Sequence, residues 1–596
     1  MKTFRYLAVV VVVIFTQLVF SCKKSYLEKP QLGTLSLELL ETKAGVNGLL
    51  IGAYSGLRGQ QGGDVSFGGG DPWQTSPDNW IYGGVAGGDA SKGSIAGDQG
   101  PIETIANFLS DPSVGFFNNK WIAVYEGITR TNNLLRAAAK TSTLSATDLL
   151  NINGQARFLR GHFYFEAKKM FNKVPYVDEN TTDFNQINVD VWPQIEADFK
   201  YAYDNLPATQ TDPGRANKWA AGAYLAKAYL YEHKYAEAKI VFDAVITQGV
   251  TASGLPYALN PMFHDNFKVP TKNSAESVFA IQAIANSDPS SISQSNDGDI
   301  LNFPYGTTSP FGCCSFFQPS IDLVNRFRTN PATGLPFLDD FNANAVANDM
   351  GLLSSQLFTP DASTLDPRLD WTVGRRGIPY LDWGLHPGND WIRGQDYAGP
   401  FSPIKNVYSQ AGQLTEGDQH SYGPGSGINY NLIRFADVLL MAAETEAQLN
   451  NLLTAEDYVN MVRNRAANPA GFVYQYADNK NPMGGYSMTP AANYLINPYP
   501  AGDFAGKGLS YALKAIYYER KLELAMEGHR FFDLVRWGIA DTELNAYFAY
   551  QGKITLDVRN GHFTKGKNEY YPVPQTQVDL SVRGGKPVLI QNPGYN

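Results

Sequence analysis

The chain has 596 residues, well beyond the length at which one hydrophobic core stops growing, so a large unit with lobes or several domains is expected. Its 48 basic and 57 acidic residues give a formal net charge of −9 without a basic cluster, which disfavours a nucleic-acid binder. Charged residues reach only 18%, whereas aromatic residues reach 13% and glycines number 56. This mixture is typical of long structured loops and suits a surface that binds a neutral ligand.

The N-terminus is typical of a bacterial secretion signal. Lys2 and Arg5 precede an apolar run over residues 7–19, which is shorter than the roughly 20 residues of a comfortable membrane span. Cys22 follows the small Ser21 at the end of this run, where a lipoprotein is cleaved and its new N-terminal cysteine is acylated. We therefore predict a signal peptide over residues 1–21 and a lipid anchor on Cys22 that needs no spanning helix. Ordinary secretion without lipid is the alternative.

Helical periodicity dominates residues 22–260 and returns in residues 430–596. In the stretch "WAAGAYLAKAYLYEHKYAEAKIVFDAVITQG", apolar and small residues recur at the spacing of a tetratricopeptide helix pair. They are Leu225, Ala226, Tyr229, Ala238 and Phe242. A weaker echo in "LLMAAETEAQLNNLLTAEDYVNMVRNRA" places Ala443, Ala455 and Val459 in matching register. The helical parts are therefore predicted to consist of divergent tetratricopeptide pairs.

Two regions lack periodicity and are predicted to form loops. Residues 59–100 are rich in Gly, Asp and aromatic residues, and loops of this length inside a compact domain are usually functional. Residues 261–429 form a loop-rich insertion in which "ESVFAIQAI" predicts a buried strand and "PSIDLVNRFR" a short helix. The adjacent Cys313 and Cys314 of this insertion are interpreted as two buried or semi-buried thiols, with a vicinal disulfide as the alternative.

Tests for catalytic and metal-binding motifs are negative. No two of the seven histidines lie within one helical turn of each other, no CxxC pair exists, and neither a phosphate loop nor a nucleophile elbow has its required spacing. We therefore expect no catalytic residues, no metal ligands and no cofactor. Calcium is conceivable in the Asp-rich loops, but no ligand spacing supports it.

The stretch "ERKLELAMEGHRFFDLVRWG", residues 519–538, is dense in charge and raises the question of an active site. On one continuous helix its acidic and basic residues alternate at three- and four-residue spacing down one side. Carboxylates with a cationic neighbour stay ionised and occupied, whereas a catalytic carboxylate needs a perturbed environment. The stretch is therefore interpreted as a structural ladder of ion pairs, and Glu527→Ala or Arg530→Ala is expected to lower stability.

With these residues in view, the chain resembles the SusD/RagB family of outer-membrane nutrient-binding lipoproteins from Bacteroidetes. The resemblance runs over nearly the whole length. It rests on the lipoprotein cysteine followed by "YLEKP" and on a series of blocks in family order, which include "KWIAVYEGITRTNNLL", "QARFLRGHFYFEAKKMFNKVP", "DPRLDWT", "NLIRFADVLLMAAETEAQLN" and "ERKLELAMEGHRFFDLVRWG".

The resemblance implies a mostly α-helical SusD-like fold over residues 22–596, with four tetratricopeptide-type helix pairs and an irregular loop-rich face that binds the nutrient. It also implies a lipid-anchored protein on the outer membrane, facing the exterior and docked on a SusC-like TonB-dependent transporter. Members are usually glycan binders without enzymatic activity, and some look like peptide receptors. Family ligand residues vary among members, so none is carried over by position.

Ligand residues are instead nominated by chemistry. A pyranose presents a C–H face that stacks on aromatic rings and hydroxyls that need amides and charges. The nominated residues of the first loop are Trp73, Asn79, Trp80 and Tyr82, and those of the later insertion are Trp383, Asn389, Asp390, Trp391 and Arg393. For each aromatic residue the alternative is that it anchors its loop by burial.

Three functions from different classes remain open. The preferred function is a surface glycan-binding lipoprotein that captures oligo- or polysaccharide for an importer. A peptide or protein receptor of the same architecture is the second. A secreted glycosidase is the third, and it stays open because the sequence does not show which two of the 57 acidic residues would meet across a cleft, as glycoside hydrolysis requires.

Overall fold

The computed structural model describes residues 37–59, 70–183, 186–287, 294–421 and 423–595. The predicted signal peptide and the predicted lipidation site Cys22 lie outside these residues. The α-helices are α1 (Leu37–Leu40), α2 (Lys43–Ser55), α3 (Gly100–Ala106), α4 (Gly115–Lys140), α5 (Ala146–Phe171), α6 (Trp192–Asn205), α7 (Lys218–Tyr231), α8 (Tyr235–Gln248), α9 (Ile321–Arg326), α10 (Gln395–Ala398), α11 (Gln413–Glu416), α12 (Phe435–Gln448), α13 (Leu452–Ala466), α14 (Asp503–Lys507), α15 (Leu509–Glu523), α16 (Arg530–Arg536), α17 (Ala540–Gln551) and α18 (Gln575–Leu580).

The strands are short and pair two by two. They are β1 (Ala90–Gly93), β2 (Val174–Pro175), β3 (Asn188–Val189), β4 (Ser277–Ile281), β5 (Phe316–Pro319), β6 (Val373–Gly374), β7 (Ser402–Pro403), β8 (Tyr430–Arg434), β9 (Tyr474–Tyr476) and β10 (Tyr486–Pro490). The antiparallel pairs are β1 with β5, β2 with β3, β4 with β8, β6 with β7, and β9 with β10. The predicted strand in "ESVFAIQAI" is β4, and the predicted helix in "PSIDLVNRFR" is α9. Because β4 pairs with β8, the two ends of the loop-rich insertion lie side by side.

Helices α2, α5 and α7 begin at a residue whose side chain caps the first turn. Thr42, Ser145 and Asn217 each accept a backbone N–H in the first turn of α2, α5 and α7, at 3.1, 3.1 and 2.8 Å. Each of these bonds satisfies one donor that the helix itself leaves unpaired. Successive helices from α4 to α8 pack on one another, and α12 continues the stack by packing on α8, α13 and α15.

Two helix hairpins agree with the predicted tetratricopeptide-type pairs. Helices α7 and α8 are joined by three residues and pack together, which makes them antiparallel neighbours. Helices α12 and α13 form a second pair of the same kind. The predicted contact residues Ala226, Ala238, Ala443 and Ala455 are fully buried. A Cβ atom on Gly222 would lie only 2.9 Å from the ring of Tyr203, so this small residue lets α6 and α7 approach closely.

The predicted continuous helix over residues 519–538 is wrong. Helix α15 ends at Glu523 and α16 begins at Arg530, with left-handed backbone at Met526 (φ 65°) and Gly528 (φ 72°) between them. Contact with another chain segment imposes this break, because a Cβ atom on Gly528 would lie 1.6 Å from the carbonyl oxygen of Asp78. Only glycine permits so close a backbone approach at a positive φ.

The ion pairs of this stretch therefore connect different elements instead of following one helix. Buried Glu523 pairs with Arg368 of the insertion, Arg434 of β8 and Arg465 of α13. Arg530 pairs with Glu543 of α17 at 3.0 Å and not with Glu527. Of the predicted ladder, the pair of Asp533 with Arg536 forms at 2.8 Å.

The first predicted loop is largely buried. Of its described part, Pro72–Thr75 and Trp80–Val85 form short helical turns and β1 follows, with nearly every residue inaccessible to solvent. This segment packs on the break between α15 and α16, where a Cβ atom on Gly83 would lie 1.7 Å from the carbonyl oxygen of Gly528. The absence of periodicity in the described part reflects glycine-mediated close packing in the core.

The described part of the insertion carries a hydrophobic cluster of its own. Its buried members are Phe303, Tyr380, Leu381, Trp391, Ile404, Val407 and Tyr408, with Phe311, Trp371 and Trp383 at the edge. Within the described residues, none of the helices has the length and apolarity that crossing a bilayer requires.

Candidate ligand-binding site

The nominated residues of the first loop are core residues. Trp80 has no exposed surface, its indole N–H donates to the carbonyl oxygen of Gly298 at 2.9 Å, and its ring packs 5.4 Å from that of Phe317. Tyr82 is 1% exposed and donates its hydroxyl to the carbonyl oxygen of Gln74 at 2.9 Å. These side chains have their polar atoms satisfied inside the protein and present no face to a ligand.

Asn79 and Trp73 have similar environments. Asn79 is 4% exposed and donates its amide to the carboxylate of Glu166 at 3.0 Å. Trp73 is 7% exposed and donates its indole N–H to Gln99 at 3.2 Å. In this structure the nominated side chains of the first loop are buried and anchor the loop, as the alternative interpretation states.

The nominated residues of the insertion divide between the core and the surface. Trp391 is buried, with its indole N–H on the carbonyl oxygen of Thr308 at 3.1 Å and its ring edge-on to that of Tyr380. Trp383 is half-buried and Asp390 is exposed, and both lie in the loop that leads into α10. Asn389 and Arg393 are half-buried in the same loop.

The Trp383 ring packs with those of Phe311 and Tyr408, and we call these three residues, together with Tyr305 from the same loop as Phe311, the aromatic strip. The Phe311 ring is 4.9 Å from that of Trp383 and 5.6 Å from that of Tyr408. Tyr305 lies six residues before Phe311 in the loop that covers Trp391, and its N–H donates to the carbonyl oxygen of Trp391 at 3.0 Å. Tyr305, Phe311 and Trp383 are half-buried, whereas Tyr408 is buried with 6% of its surface exposed.

The loop that carries Trp383 is held by hydrogen bonds to neighbouring segments. The Trp383 indole N–H donates to the carbonyl oxygen of Tyr408 at 2.9 Å. The hydroxyls of Tyr476 and Tyr486, which belong to the β9–β10 hairpin, both donate to the carbonyl oxygen of Leu381, at 2.7 and 2.9 Å. A ring whose loop is fixed in this way loses little conformational freedom when a ligand stacks on it.

Arg393 supplies charge at the Tyr305 end of the strip. Its guanidinium lies 4.9 Å from the centre of the Tyr305 ring. The same guanidinium pairs with the carboxylate of Asp98 at 2.5 Å. It also donates a hydrogen bond to the hydroxyl oxygen of Ser94 at 2.8 Å. Arg393 thus joins the insertion to the chain that follows β1.

A carboxylate lies at the other end, where Asp382, next to Trp383, accepts the backbone N–H groups of Gln410 and Ala411 at 2.6 and 2.9 Å. Burial raises the pKa of Tyr408 to about 12, so its hydroxyl stays protonated at neutral pH. Partly exposed rings beside fixed polar groups suit a ligand with alternating C–H faces and hydroxyls, which is the chemistry of a sugar.

Tyr305, Phe311 and Tyr408 were not nominated from sequence. Their segments, "NFPYGTTSPFGCC" and "KNVYSQ", contain no tryptophan and no flanking amide–acid pair of the kind that singled out the other loops. The structure also joins Cys313 and Cys314, directly after Phe311 and Gly312, in a disulfide, where two thiols were the preferred interpretation.

Among the described residues there is no group of three or more His, Cys, Asp or Glu side chains that could hold a metal ion. The charged stretch at residues 519–536 is not a site either, because its carboxylates and guanidiniums are buried and paired.

Comparison with known proteins identifies the family. The model of the SusD family matches residues 275–595, and a model described as starch-binding and associating with the outer membrane matches residues 104–230. SusD-like protein P25 of Formosa agariphila is 25% identical over 464 residues, which cover 74% of this chain and 75% of that protein. A SusD-like protein of Bacteroides ovatus is 24% identical over 519 residues, 80% of each chain.

Solved structures show the same fold. A laminarin-binding SusD-like protein superposes with a TM-score of 0.61 at 21% identity, over 93% of this chain and all of that chain. Surface glycan-binding protein A from Bacteroides thetaiotaomicron, in complex with laminarihexaose, gives a TM-score of 0.62 at 18% identity, over 92% of this chain and 99% of that chain. Since the family model covers more than half of the chain, this protein belongs to the SusD family.

Proposed function

We propose that this protein is a cell-surface glycan-binding lipoprotein that captures oligo- or polysaccharide and passes it to a SusC-like TonB-dependent transporter of the outer membrane. The observation that carries the proposal is the aromatic strip with Arg393 at one end. In this proposal the half-buried residues Tyr305, Phe311 and Trp383 stack on sugar faces, and Arg393 with Asp98 and Ser94 offers groups for sugar hydroxyls at the Tyr305 end of the strip. The function is binding without catalysis.

The comparisons support a glucan as the ligand class to test first. One structural neighbour is a laminarin-binding protein, and another was solved in complex with laminarihexaose. One matching family model is described as starch-binding. That description also names the outer membrane, which agrees with the predicted lipid anchor on Cys22. The transporter partnership and the outward orientation rest on the family resemblance.

The proposal is tested with the chain from Lys23 onward, which lacks only the signal peptide and the acylated cysteine. Laminarin, starch and other polysaccharides are screened in affinity gels, and the best ligand is titrated by calorimetry. We expect Trp383→Ala to weaken binding by about five- to thirtyfold, because loss of one stacked ring removes roughly 1–2 kcal/mol, while the protein keeps a cooperative melt at a somewhat lower temperature, since the Trp383 side chain also packs on Phe311.

Tyr201→Ala is the matched control, because Tyr201 is a half-buried aromatic residue on α6 away from the strip, and it should bind like the wild type. Equal affinity of Trp383→Ala and wild type would remove the strip from the site. Binding of peptides alone would establish the alternative receptor, and release of new reducing ends from the polysaccharide would establish a glycosidase.

A further inference from the structure

An exposed loop near the C-terminus leads from the last residue of α18 into the terminal tail, and we call residues 580–590 the C-terminal loop. Three of its aliphatic residues face solvent, since Leu580, Val582 and Ile590 are 67%, 42% and 71% exposed. Single aliphatic side chains on a surface need no explanation, whereas several together mark a surface that binds something apolar.

The base and the tip of the C-terminal loop are fixed by hydrogen bonds. The hydroxyl oxygen of Ser581 accepts the N–H groups of Val588 and Leu589 at 3.1 and 3.0 Å, and Leu589 is buried. At the tip, Arg583 and Lys586 exchange two backbone hydrogen bonds, at 2.8 and 3.1 Å. The outward position of the other aliphatic residues is therefore a feature of a closed loop whose inner side is occupied by Leu589.

A neighbouring segment extends the exposed aliphatic surface. The side-chain amide of Asn188 donates to the carbonyl oxygen of Ile590 at 3.3 Å, and its side-chain oxygen accepts the N–H of Ile590 at 2.9 Å. The adjacent Ile187 is 59% exposed. We define the apolar patch as Ile187, Leu580, Val582 and Ile590.

The charged residues around the apolar patch are mainly basic. Arg583 and Lys586 are exposed at the tip of the loop, and exposed Lys173 accepts the Asn188 amide on its carbonyl oxygen at 2.9 Å. From residue 575 to the end of the sequence the acidic residue is Asp579, directly before the loop. In a chain with a formal net charge of −9, this local basic excess favours an anionic partner.

The C-terminal loop also borders a cavity of about 520 Å³ beside α4. The described lining of the cavity includes Arg136, Leu580 and Arg583 and contains no acidic residue. Arg136 donates to the carbonyl oxygen of Glu179 at 3.1 Å and to the side-chain oxygen of Asn133 at 2.7 Å. Small-ligand pockets have volumes of about 300–1,000 Å³, so the cavity has room for a small negatively charged group.

The described part of the chain begins close to this face. Glu41 pairs with Lys140 at the end of α4, at 3.4 Å, and Lys140 lies one helical turn beyond Arg136. The predicted lipid-modified Cys22 precedes Leu37 by 15 residues, which span at most roughly 55 Å. A bilayer that holds Cys22 is therefore within reach of the C-terminal loop.

We propose that the C-terminal loop is a membrane-contact surface, on which the apolar patch enters the interfacial region of an anionic bilayer and the surrounding Lys and Arg side chains contact headgroup phosphates. Surfaces that lie on a bilayer combine buried apolar area with the attraction of basic residues to anionic lipid. The proposal rests on the membrane attachment of the proposed function. A second contact besides the acyl anchor would fix which face of the protein is turned towards the membrane.

The test uses the chain from Lys23 onward, which lacks the acylated cysteine, so that vesicle binding does not depend on lipidation. Flotation measures binding to vesicles of phosphatidylcholine with phosphatidylglycerol and to vesicles of phosphatidylcholine alone. We expect stronger binding to the anionic vesicles and weaker binding at high salt. Ile590→Ser should weaken binding about tenfold, because the bilayer no longer buries this aliphatic side chain.

Ile240→Ser is the matched control, because Ile240 on α8 is 72% exposed, much like Ile590, and this variant should bind like the wild type. The double variant Arg583→Gln with Lys586→Gln should bind the anionic vesicles about 25-fold more weakly, since each basic residue near an anionic surface contributes about fivefold. Its binding to phosphatidylcholine alone should change little. All of these variants should keep the melting temperature of the wild type, because the substituted side chains are exposed.

The proposal is overturned if the wild type floats with neither kind of vesicle, if it binds both kinds alike, or if the loop variants bind like Ile240→Ser. Analytical ultracentrifugation that shows a dimer dissociated by Ile590→Ser would also overturn it, because the apolar patch would then join two copies of the chain. Mass spectrometry of the protein isolated from cells tests the acylation of Cys22 separately. Failure of the membrane contact and failure of the predicted anchor are therefore distinguishable.

Discussion

At the scale of single residues, burial separates tryptophans that look alike in sequence. Trp80 follows Asp and Asn in "SPDNW" and Trp383 follows Asp in "YLDW", and both were nominated for the same reason. Trp80 is fully buried, whereas Trp383 keeps part of its ring exposed on the aromatic strip. Trp80→Ala would remove core packing worth about 3–5 kcal/mol, so it reports on folding and is unsuitable as a test of binding.

His386 gives a residue-scale prediction about pH. It is 1% exposed and packs against the rings of Tyr380 and Trp391, where its Nδ1 accepts the N–H of Gly388 at 3.1 Å and its Nε2 lies 3.0 Å from the hydroxyl of Ser402. Burial, assisted by Arg376, lowers the pKa of His386 to about 3. Because this folded-state pKa is below the usual value of about 6.5, His386 contributes stability that is present above pH 6.5 and lost as the pH falls below it.

We therefore compare the wild type with His386→Asn in denaturant titrations at pH 7 and pH 5. The stability advantage of the wild type should be about 2 kcal/mol smaller at pH 5 than at pH 7. The reason is that pH 5 lies about one and a half units below the unfolded-state pKa of about 6.5, and each unit is worth about 1.4 kcal/mol. His420→Asn, at an exposed histidine, controls for loss of an imidazole. A difference that does not change with pH would show that His386 is not held neutral.

At the scale of elements, the stretch over residues 519–536 acts as a junction. Periodic charge predicted an ion-pair ladder along one helix, but the close approach of Gly528 to Asp78 divides it into α15 and α16. The charges then reach outward to β8, α13 and the insertion. Burial alone would raise the pKa of Glu523, but Arg465, Arg434 and Arg368 outweigh it and hold the pKa below its usual range.

Glu523→Gln should therefore lower the free energy of unfolding by about 3–5 kcal/mol, because it leaves buried guanidiniums short of a counter-charge. Chemical denaturation measures the change. Asp204→Asn is the matched control, since it breaks an exposed pair with Lys200 inside α6 and should cost about 0.5 kcal/mol or less. Similar losses in both variants would contradict the role of Glu523 as a junction.

At the scale of the whole molecule, one large hydrophobic cluster includes residues from α2 near the N-terminus to Leu589 near the C-terminus. Phe158 of α5 packs 4.8 Å from Phe279 of β4, and Phe117 of α4 packs 5.4 Å from Tyr571 near the C-terminus. Residues from all three predicted parts, 22–260, 261–429 and 430–596, therefore contribute to the same large hydrophobic cluster.

A fragment of residues 23–260 should accordingly fail to fold on its own, because it would expose the faces of α5, α7 and α8 that β4 and α12 cover. We expect a non-cooperative thermal melt by circular dichroism and strong binding of a hydrophobic dye. Co-expression with residues 261–596 should restore a soluble complex with a cooperative melt. A cooperative melt of the fragment alone would show that the N-terminal part is an independent domain.

Sequence alone determined the helical scaffold and the family of this protein. Helix pairs such as α7 and α8 depend on local periodicity, caps and short connections, and the blocks that carry the family resemblance are contiguous. The tertiary structure alone decided which aromatic residues face solvent. The half-buried Phe311 and Trp383 come from separate segments, and the burial of Trp80 depends on Phe317, more than 200 residues away. Such contacts have no local pattern, because irregular loops are placed by packing and hydrogen bonding to distant backbone.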